Sequence, residues 1–207
     1  MDKNSIEAFF DKAASSWDEE MIKDDLIINT ILDNAKVEKG NTVLDVACGT
    51  GVMIPYYLDR GAHPTGIDLS KKMIEIASDK FKDVEFIWGD VEGLNNRKFD
   101  RIIVYNAFPH FIDPEALVKH LATLLNKDGT LTIAHGMSRE RINHHHEGVA
   151  SSISNGLIKA SELAKVMSKY LDVYVSVDDD RMYQVSGKLM GCLYTAHCLY
   201  CHKSADG

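Results

Sequence analysis

Long hydrophobic runs are missing from this chain. Nothing in its 207 residues approaches the roughly twenty consecutive apolar residues that a membrane-spanning helix needs, so no membrane partner is expected. Basic charge is short as well: 23 Lys and Arg face 31 Asp and Glu, a net charge of −8. Nucleic acid is therefore not expected as the main partner, because it selects for a basic face. Only four cysteines occur, and the start Met1-Asp2-Lys3-Asn4-Ser5 has neither the basic stretch nor the apolar core of an export signal. The expectation is a cytoplasmic protein with reduced thiols rather than a disulfide frame. Repeats and low-complexity segments are absent too. What remains is ordinary: 45% apolar residues, in a length that builds one domain with a substantial core. Nothing in the pattern speaks to oligomeric state.

A third glycine is absent where it would matter most. Val43-Leu44-Asp45-Val46-Ala47-Cys48-Gly49-Thr50-Gly51 is an apolar strand running into an acid and a glycine-rich turn. Glycines have no Cβ, so the backbone there passes close under a ligand, and helix-terminus N–H groups beyond the turn meet polar ligand atoms. Asp68 follows about twenty residues on, at the end of a second strand, the spacing of a nucleotide-like ligand site. A dinucleotide turn requires G-x-G-x-x-G. Here Ile54 stands in the third glycine's place, which disfavours a nicotinamide-dependent dehydrogenase.

Apolar periodicity supplies the frame. Helices are expected over 5–18 (Ile6, Phe9, Phe10, Ala13, Trp17), over about 20–36, from Val52 to about Arg60, and over 71–81 behind a Ser70 cap. Asp113-Pro114 opens another, striped by Leu117, Leu121, Leu124 and Leu125 and ended by Asp128-Gly129. A last helix is expected at about 160–170. Strands fall at 42–46, Thr65–Ile67, Val84–Trp88, Arg101–Tyr105 and Thr130–Ala134, then Val173–Val177 and Met182–Gly187. Strands alternating with helices give a mainly parallel sheet. The last two strands, joined by Asp178-Asp179-Asp180, pair antiparallel, because a parallel return needs a long crossover.

Three motifs, at 43–51, Gly66-Ile67-Asp68-Leu69-Ser70 and Trp88-Gly89-Asp90-Val91, resemble those of the class I S-adenosylmethionine-dependent methyltransferases, small-molecule type. The resemblance spans roughly residues 5–190. It implies an α/β, Rossmann-like fold: a seven-stranded, mainly parallel sheet with a C-terminal antiparallel hairpin and helices on both faces. It implies one domain over 1–190 with a helical lid at 1–36, and S-adenosyl-L-methionine as cofactor. Ala47 takes the place of the first glycine of the family's loop, ahead of Gly49 and Gly51. Asp45 either orients the turn or meets the cofactor's amino group. Asp68 offers two acceptors to a ribose diol, and Asp90 matches the contact to the adenine amino group. Leu69, Met73 and Val91 sandwich the adenine, Met73 having core packing as its competing role. Trp17, in a stretch like the family's lid helix, helps close the site.

Methyl transfer from a sulfonium chiefly requires alignment of acceptor and methyl and exclusion of water. A general base is needed only where the acceptor must lose a proton. The resemblance turns the residues after strand four towards the acceptor, and here they read Asn106-Ala107-Phe108-Pro109-His110-Phe111. Asn106 is counted with the cofactor contacts, and Phe108 and Phe111 wall an apolar pocket for a small-molecule acceptor. His110 is the base or orienting residue, because histidine titrates near neutral pH; a packed core histidine is the plain alternative. His135 and the run His144-His145-His146 raise a second possibility, a divalent metal held by His135, His145 and His146. Successive residues of a helix diverge by about 100°, so the whole run cannot face one ion, and a solvated helix face competes with a metal site. Residues 191–207 form a tail in which Cys198, Cys201 and a histidine either hold zinc or are incidental. Two rivals stand beside the metal-free enzyme: a metal-dependent variant, and a binding or sensor domain that holds the cofactor without releasing product.

Overall fold

The computed structural model describes residues 2–146 and 153–191, and the tail cysteines, for which zinc binding is one of two alternatives, lie outside them. Fifteen elements alternate along the described chain. Helices α1 (Lys3–Ala13), α2 (Trp17–Glu20) and α3 (Asp25–Asn34) precede β1 (Thr42–Val46). Then come α4 (Ile54–Asp59), β2 (His63–Asp68), α5 (Lys71–Lys80), β3 (Glu85–Trp88) and β4 (Phe99–Tyr105). The chain continues through α6 (Pro114–Thr123), β5 (Leu125–His135), α7 (Arg139–His146), α8 (Ala160–Met167), β6 (Leu171–Asp178) and β7 (Tyr183–Leu189). One seven-stranded sheet runs in the order β3-β2-β1-β4-β5-β7-β6. β7 is antiparallel to both β5 and β6, and the other pairings are parallel. The expected fold is present, hairpin included. No described helix is long and apolar enough to cross a membrane.

Alternation along the strands builds two cores on opposite faces of the sheet. Leu44, Ile102 and Val104 join Leu117, Leu121, Leu163 and Met167 on one side. Val43 and Ile103 join Ile28, Ile31, Leu32, Ile54 and Tyr57 on the other. The strand order reverses between β1 and β4, and such a switch point opens a crevice at the carboxyl ends of the strands.

Several boundaries differ from expectation, each for a local reason. The expected helix over 5–18 breaks after Ala13, at Ser15-Ser16, residue types that compete with the helix for backbone hydrogen bonds. The expected helix over 20–36 begins only at Asp25, because the Asp24 carboxylate accepts from the Ile27 N–H and caps it there. Leu125 belongs to β5 rather than to the stripe of α6, and pairs with Phe99. The Asp128-Gly129 signal is a kink inside β5: Asp128 has φ 66, and the register against β4 shifts there.

Two left-handed residues flank the switch point. Ala47 directly follows β1 with φ 55, and Asn106 directly follows β4 with φ 54. A left-handed conformation costs a residue with a Cβ on the order of 1–3 kcal/mol. Ala47→Gly is therefore expected to stabilise the protein by about 0.5–1 kcal/mol, the relief of strain exceeding the added freedom of the unfolded chain. A rise in the urea midpoint at constant slope checks this, and a fall contradicts it.

Candidate functional site

At the switch point a cleft of about 1020 Å³, open mouth included, is lined by residues from the loops after β1, β2, β3 and β4 and from the N-terminal segment. Val46, Ala47, Cys48 and Gly49 come from the end of β1 and its turn, Asp68, Leu69 and Ser70 from the end of β2. Gly89, Asp90, Val91 and Glu92 come from beyond β3, and Tyr105, Asn106, Ala107, His110, Phe111 and Ile112 from the end of β4 and its loop. The N-terminal segment adds Lys3, Ile6, Glu7, Phe10, Trp17 and Met21 as a cover.

Asp68 organises this cleft. One carboxylate oxygen accepts the Gly49 N–H at 2.8 Å and the other the Ser70 N–H at 2.8 Å. The acid of the second strand thus ties the glycine turn to the loop after β2. Each oxygen retains a second lone-pair direction, so the carboxylate fits a vicinal diol as well as the backbone. Burial pushes the group up to about 6, with the Ser70 and Gly49 N–H bonds holding it back. Ser70 caps α5 through the Met73 N–H, as expected, and Met73, 1% exposed, lines the cleft beside Leu69 and Val91.

Asp45 lies behind the cleft rather than in its wall. It is 1% exposed, and burial pushes it up to about 8, with Tyr57 drawing it down and Asp68 adding repulsion. No described turn N–H bonds its carboxylate, since the Gly49 N–H is taken by Asp68. Its Oδ2 is buried with no hydrogen-bond partner among the described residues. Gly51 also stands outside the wall. Its φ of 84 and an ideal Cβ position 2.9 Å from the Phe81 ring give the glycine a packing reason.

Asp90 reaches the cleft with its carboxylate engaged: Lys3 Nζ lies 2.5 Å from one oxygen, and the Glu92 N–H donates to the other. Asn106 lines the wall while its side-chain oxygen accepts the Gly136 N–H at 3.0 Å, tying β4 to the chain beyond β5. Gly136 has its own constraint, because a Cβ there would meet the Tyr105 hydroxyl at 2.3 Å.

On the remaining side, His110 is packed edge-on against Phe10 with ring centroids 5.0 Å apart, and Phe10 packs against Trp17 at 5.5 Å. Trp17 lies over the glycine turn: its Nε1 is 3.6 Å from where a Gly49 Cβ would be. Burial lowers His110 below the ordinary imidazole value, while a bond from Nδ1 to the Ile153 carbonyl opposes the shift. Phe111 lines the cleft but Phe108 does not. Phe108 is 2% exposed and packs into the core, because the single helical turn Phe108–His110 directs residues 108 and 110 apart.

His135 is not at the cleft either. It is the last residue of β5, 1% exposed, in register with Tyr183 and packed against its ring at 6.0 Å. Among the described residues no three His, Cys, Asp or Glu side chains are grouped to hold a metal ion. The side chains of His145 and His146 lie outside the described residues.

Phe10, Tyr105, Cys48 and Glu7 line the cleft without having been singled out. Tyr105 was legible in principle, as the last residue of a strand ending at the switch point. Phe10 was not, because its role depends on how α1 folds back over the sheet.

The comparisons bear on the same residues. Residues 43–129 match the model of a family described as a methyltransferase domain. The chain is 33% identical over 141 residues to a malonyl-(acyl-carrier protein) O-methyltransferase of Acetivibrio thermocellus, covering 65% of this chain and 50% of that protein. It is 28% identical over 142 residues to a ubiquinone biosynthesis O-methyltransferase of Coxiella burnetii, covering 63% and 61%. The chain thus spans only about half to three fifths of these relatives. In fold it is similar to a magnesium protoporphyrin IX methyltransferase from Synechocystis PCC 6803 with bound SAH, with a TM-score of 0.67 and 16% identity over 91% of this chain and 100% of that one.

Proposed function

We propose, for a chain that belongs through residues 43–129 to the class I S-adenosylmethionine-dependent methyltransferase family, that it transfers a methyl group to a small-molecule acceptor in the cleft at the switch point. The observation that carries this reading is the Asp68 carboxylate, which holds two cofactor-type loops by their N–H groups in the wall of a cleft that runs on to His110. When bound, S-adenosylmethionine supplies an electrophilic methyl group on a sulfonium whose leaving form is neutral.

The chain's own residues do the rest. Asp68 holds the ribose diol, and Asp90 and Glu92 stand at the adenine end. Leu69, Met73 and Val91 give the ring an apolar bed, and the Ala47–Gly49 backbone passes beneath the sulfur-bearing chain. Asp45 stands buried behind the turn, its carboxyl pushed up to about 8 and so largely protonated near neutral pH. Phe10, Trp17, Tyr105 and Phe111 exclude water and wall the acceptor. His110 accepts the acceptor's proton where the acceptor carries one, at a ring nitrogen kept neutral by burial. Isothermal titration with S-adenosylhomocysteine tests the cofactor half of this reading. Release of S-adenosylhomocysteine from S-adenosylmethionine across a panel of phenols, amines and thiols tests the transfer. Binding without release under any acceptor would favour a sensor domain instead.

Of the lid expected over 1–36, residues 3–21 supply the cleft's cover and act as the lid, whereas α3 packs Ile28, Ile31 and Leu32 into the core. Three polar tethers join the lid to three cofactor loops. Lys3 meets Asp90 and Glu92, Asp11 accepts from Ser70 Oγ and the Lys72 N–H, and Asp18 accepts from Thr50 Oγ1 while pairing with Lys80 at 2.8 Å. Each is a partly exposed contact of modest strength, so they hold the cover without locking it. Asp18→Ala is expected to speed S-adenosylhomocysteine dissociation several-fold in stopped-flow displacement, with little change in association. An unchanged dissociation rate would remove the Asp18 tether from the lid.

A further inference from the structure

The loop carrying His110 is gripped by a segment far along the chain. Asn155 donates its backbone N–H to the Pro109 carbonyl at 2.9 Å, and its side-chain amide reaches the Phe111 carbonyl at 3.2 Å and the Ile112 carbonyl at 3.4 Å. Asn143, on α7, holds the same segment in turn. Its oxygen accepts the Leu157 N–H at 2.6 Å, and its amide donates to the Leu157 carbonyl at 3.1 Å. At the head of the segment the Ile153 carbonyl lies 2.8 Å from His110 Nδ1. A carbonyl oxygen has no proton to give, so the proton of that bond belongs to Nδ1. In a neutral ring with Nδ1 protonated, Nε2 carries the lone pair.

We infer that residues 153–157 are a positioning device for the acceptor site: the Ile153 carbonyl fixes His110 as its Nδ1–H tautomer, Asn155 holds that carbonyl and the 109–112 loop together, and the acceptor is a molecule that offers a hydroxyl or N–H donor to Nε2. The inference rests on the reading of His110 as the acceptor-side residue. Asn155 touches none of the cofactor loops in the structure, so its effect on tautomer separates from any effect on cofactor affinity. Thiols that bind as thiolates, and acceptors with no proton on the reacting atom, gain nothing from this arrangement.

The test is long-range ¹⁵N–¹H correlation of the histidine rings in uniformly ¹⁵N-labelled protein near neutral pH, without and with S-adenosylhomocysteine. The His110 signals are those that vanish in His110→Gln. The expected wild-type pattern is a protonated Nδ1 and an unprotonated Nε2. A ring protonated at Nε2, or a ring charged at neutral pH, would overturn the tautomer assignment. In Asn155→Asp, which keeps the size but places a carboxylate against the Phe111 and Ile112 carbonyls, a mixture of tautomers is expected. Asn155→Ala, which removes the amide without that repulsion, should give a smaller change of the same sign. An unaltered pattern in both variants, with S-adenosylhomocysteine affinity as in wild type, would overturn the positioning role. Failure of the wild-type protein to bind S-adenosylhomocysteine would strike the cofactor reading instead and leave the cofactor-free spectrum to judge the tautomer.

Discussion

Asp68→Ala is expected to raise the dissociation constant for S-adenosylhomocysteine on the order of ten- to a hundredfold, equivalent to ~1.5–3 kcal/mol, the range of hydrogen bonds to a charged group. Two losses combine. The ribose diol loses its acceptors, and the Gly49 and Ser70 N–H groups, each 2.8 Å from the carboxylate, lose the anchor that joins the turn to the loop after β2. Asp68→Asn keeps the shape but turns an NH₂ towards one of those N–H groups, so it should bind nearly as weakly as the alanine variant. The sign of the pH dependence follows from the raised value of about 6 for this carboxylate. The ionised acceptor form is present above that pH and is lost as pH falls through it. Affinity should therefore fall on acidification, approaching about tenfold per pH unit where one protonation opposes binding, and the part of the fall centred near pH 6 should be lost in Asp68→Asn, leaving only the contribution of Asp45, which burial pushes up to about 8. Calorimetry across pH 5–8 reads both effects. Affinity in Asp68→Ala equal to wild type would sink the ribose assignment.

Gly66→Ala should destabilise the protein by about 2–3 kcal/mol, at the upper end for one added methyl in a packed site, which for this length corresponds to a melting temperature lower by roughly 5–10 °C. Gly66 lies inside β2 between Asp45 of β1 and Phe86 of β3. Its backbone needs no glycine; its surroundings do. An ideal Cβ there would stand 2.6 Å from the Phe86 ring and 2.8 Å from Cys48 Sγ. Phe86, on an edge strand, has some room to yield, whereas Cys48 is 4% exposed and belongs to the cofactor turn. Displacing Cys48 moves the turn, so the same substitution should weaken S-adenosylhomocysteine binding as well as stability. Scanning calorimetry with and without the ligand separates these. A melting temperature within error of wild type would show that the strand relaxes at no cost.

The parts of the site that the sequence disclosed are those written in local chemistry. The acid at the end of a strand, the glycine turn and the second acid about twenty residues on are short-range patterns, and all three return at one switch point. Trp17, His110 and Phe111 line the same cleft. Phe108 and His135 fail for the same reason as each other: spacing marks a residue as near the sheet edge, but the direction of a side chain depends on a single turn or on strand parity. Phe108 turns into the core, and His135 falls on the face shared with Tyr183. Boundaries were lost where a signal was read in the wrong frame, as with Asp128-Gly129, a turn signal that kinks β5 instead of ending the preceding helix. The tethers of α1 and the grip of Asn155 on the 109–112 loop join residues far apart in the chain, and no local pattern records such pairings.

A calorimetric titration of the wild-type protein with S-adenosylhomocysteine at neutral pH, with a nicotinamide dinucleotide titrated in parallel, decides between the two cofactor classes that a glycine turn can serve. For a methyltransferase, one equivalent of S-adenosylhomocysteine is expected to bind and to be displaced by S-adenosylmethionine, with no heat from the dinucleotide. Binding of the dinucleotide alone, or of neither, would contradict that expectation.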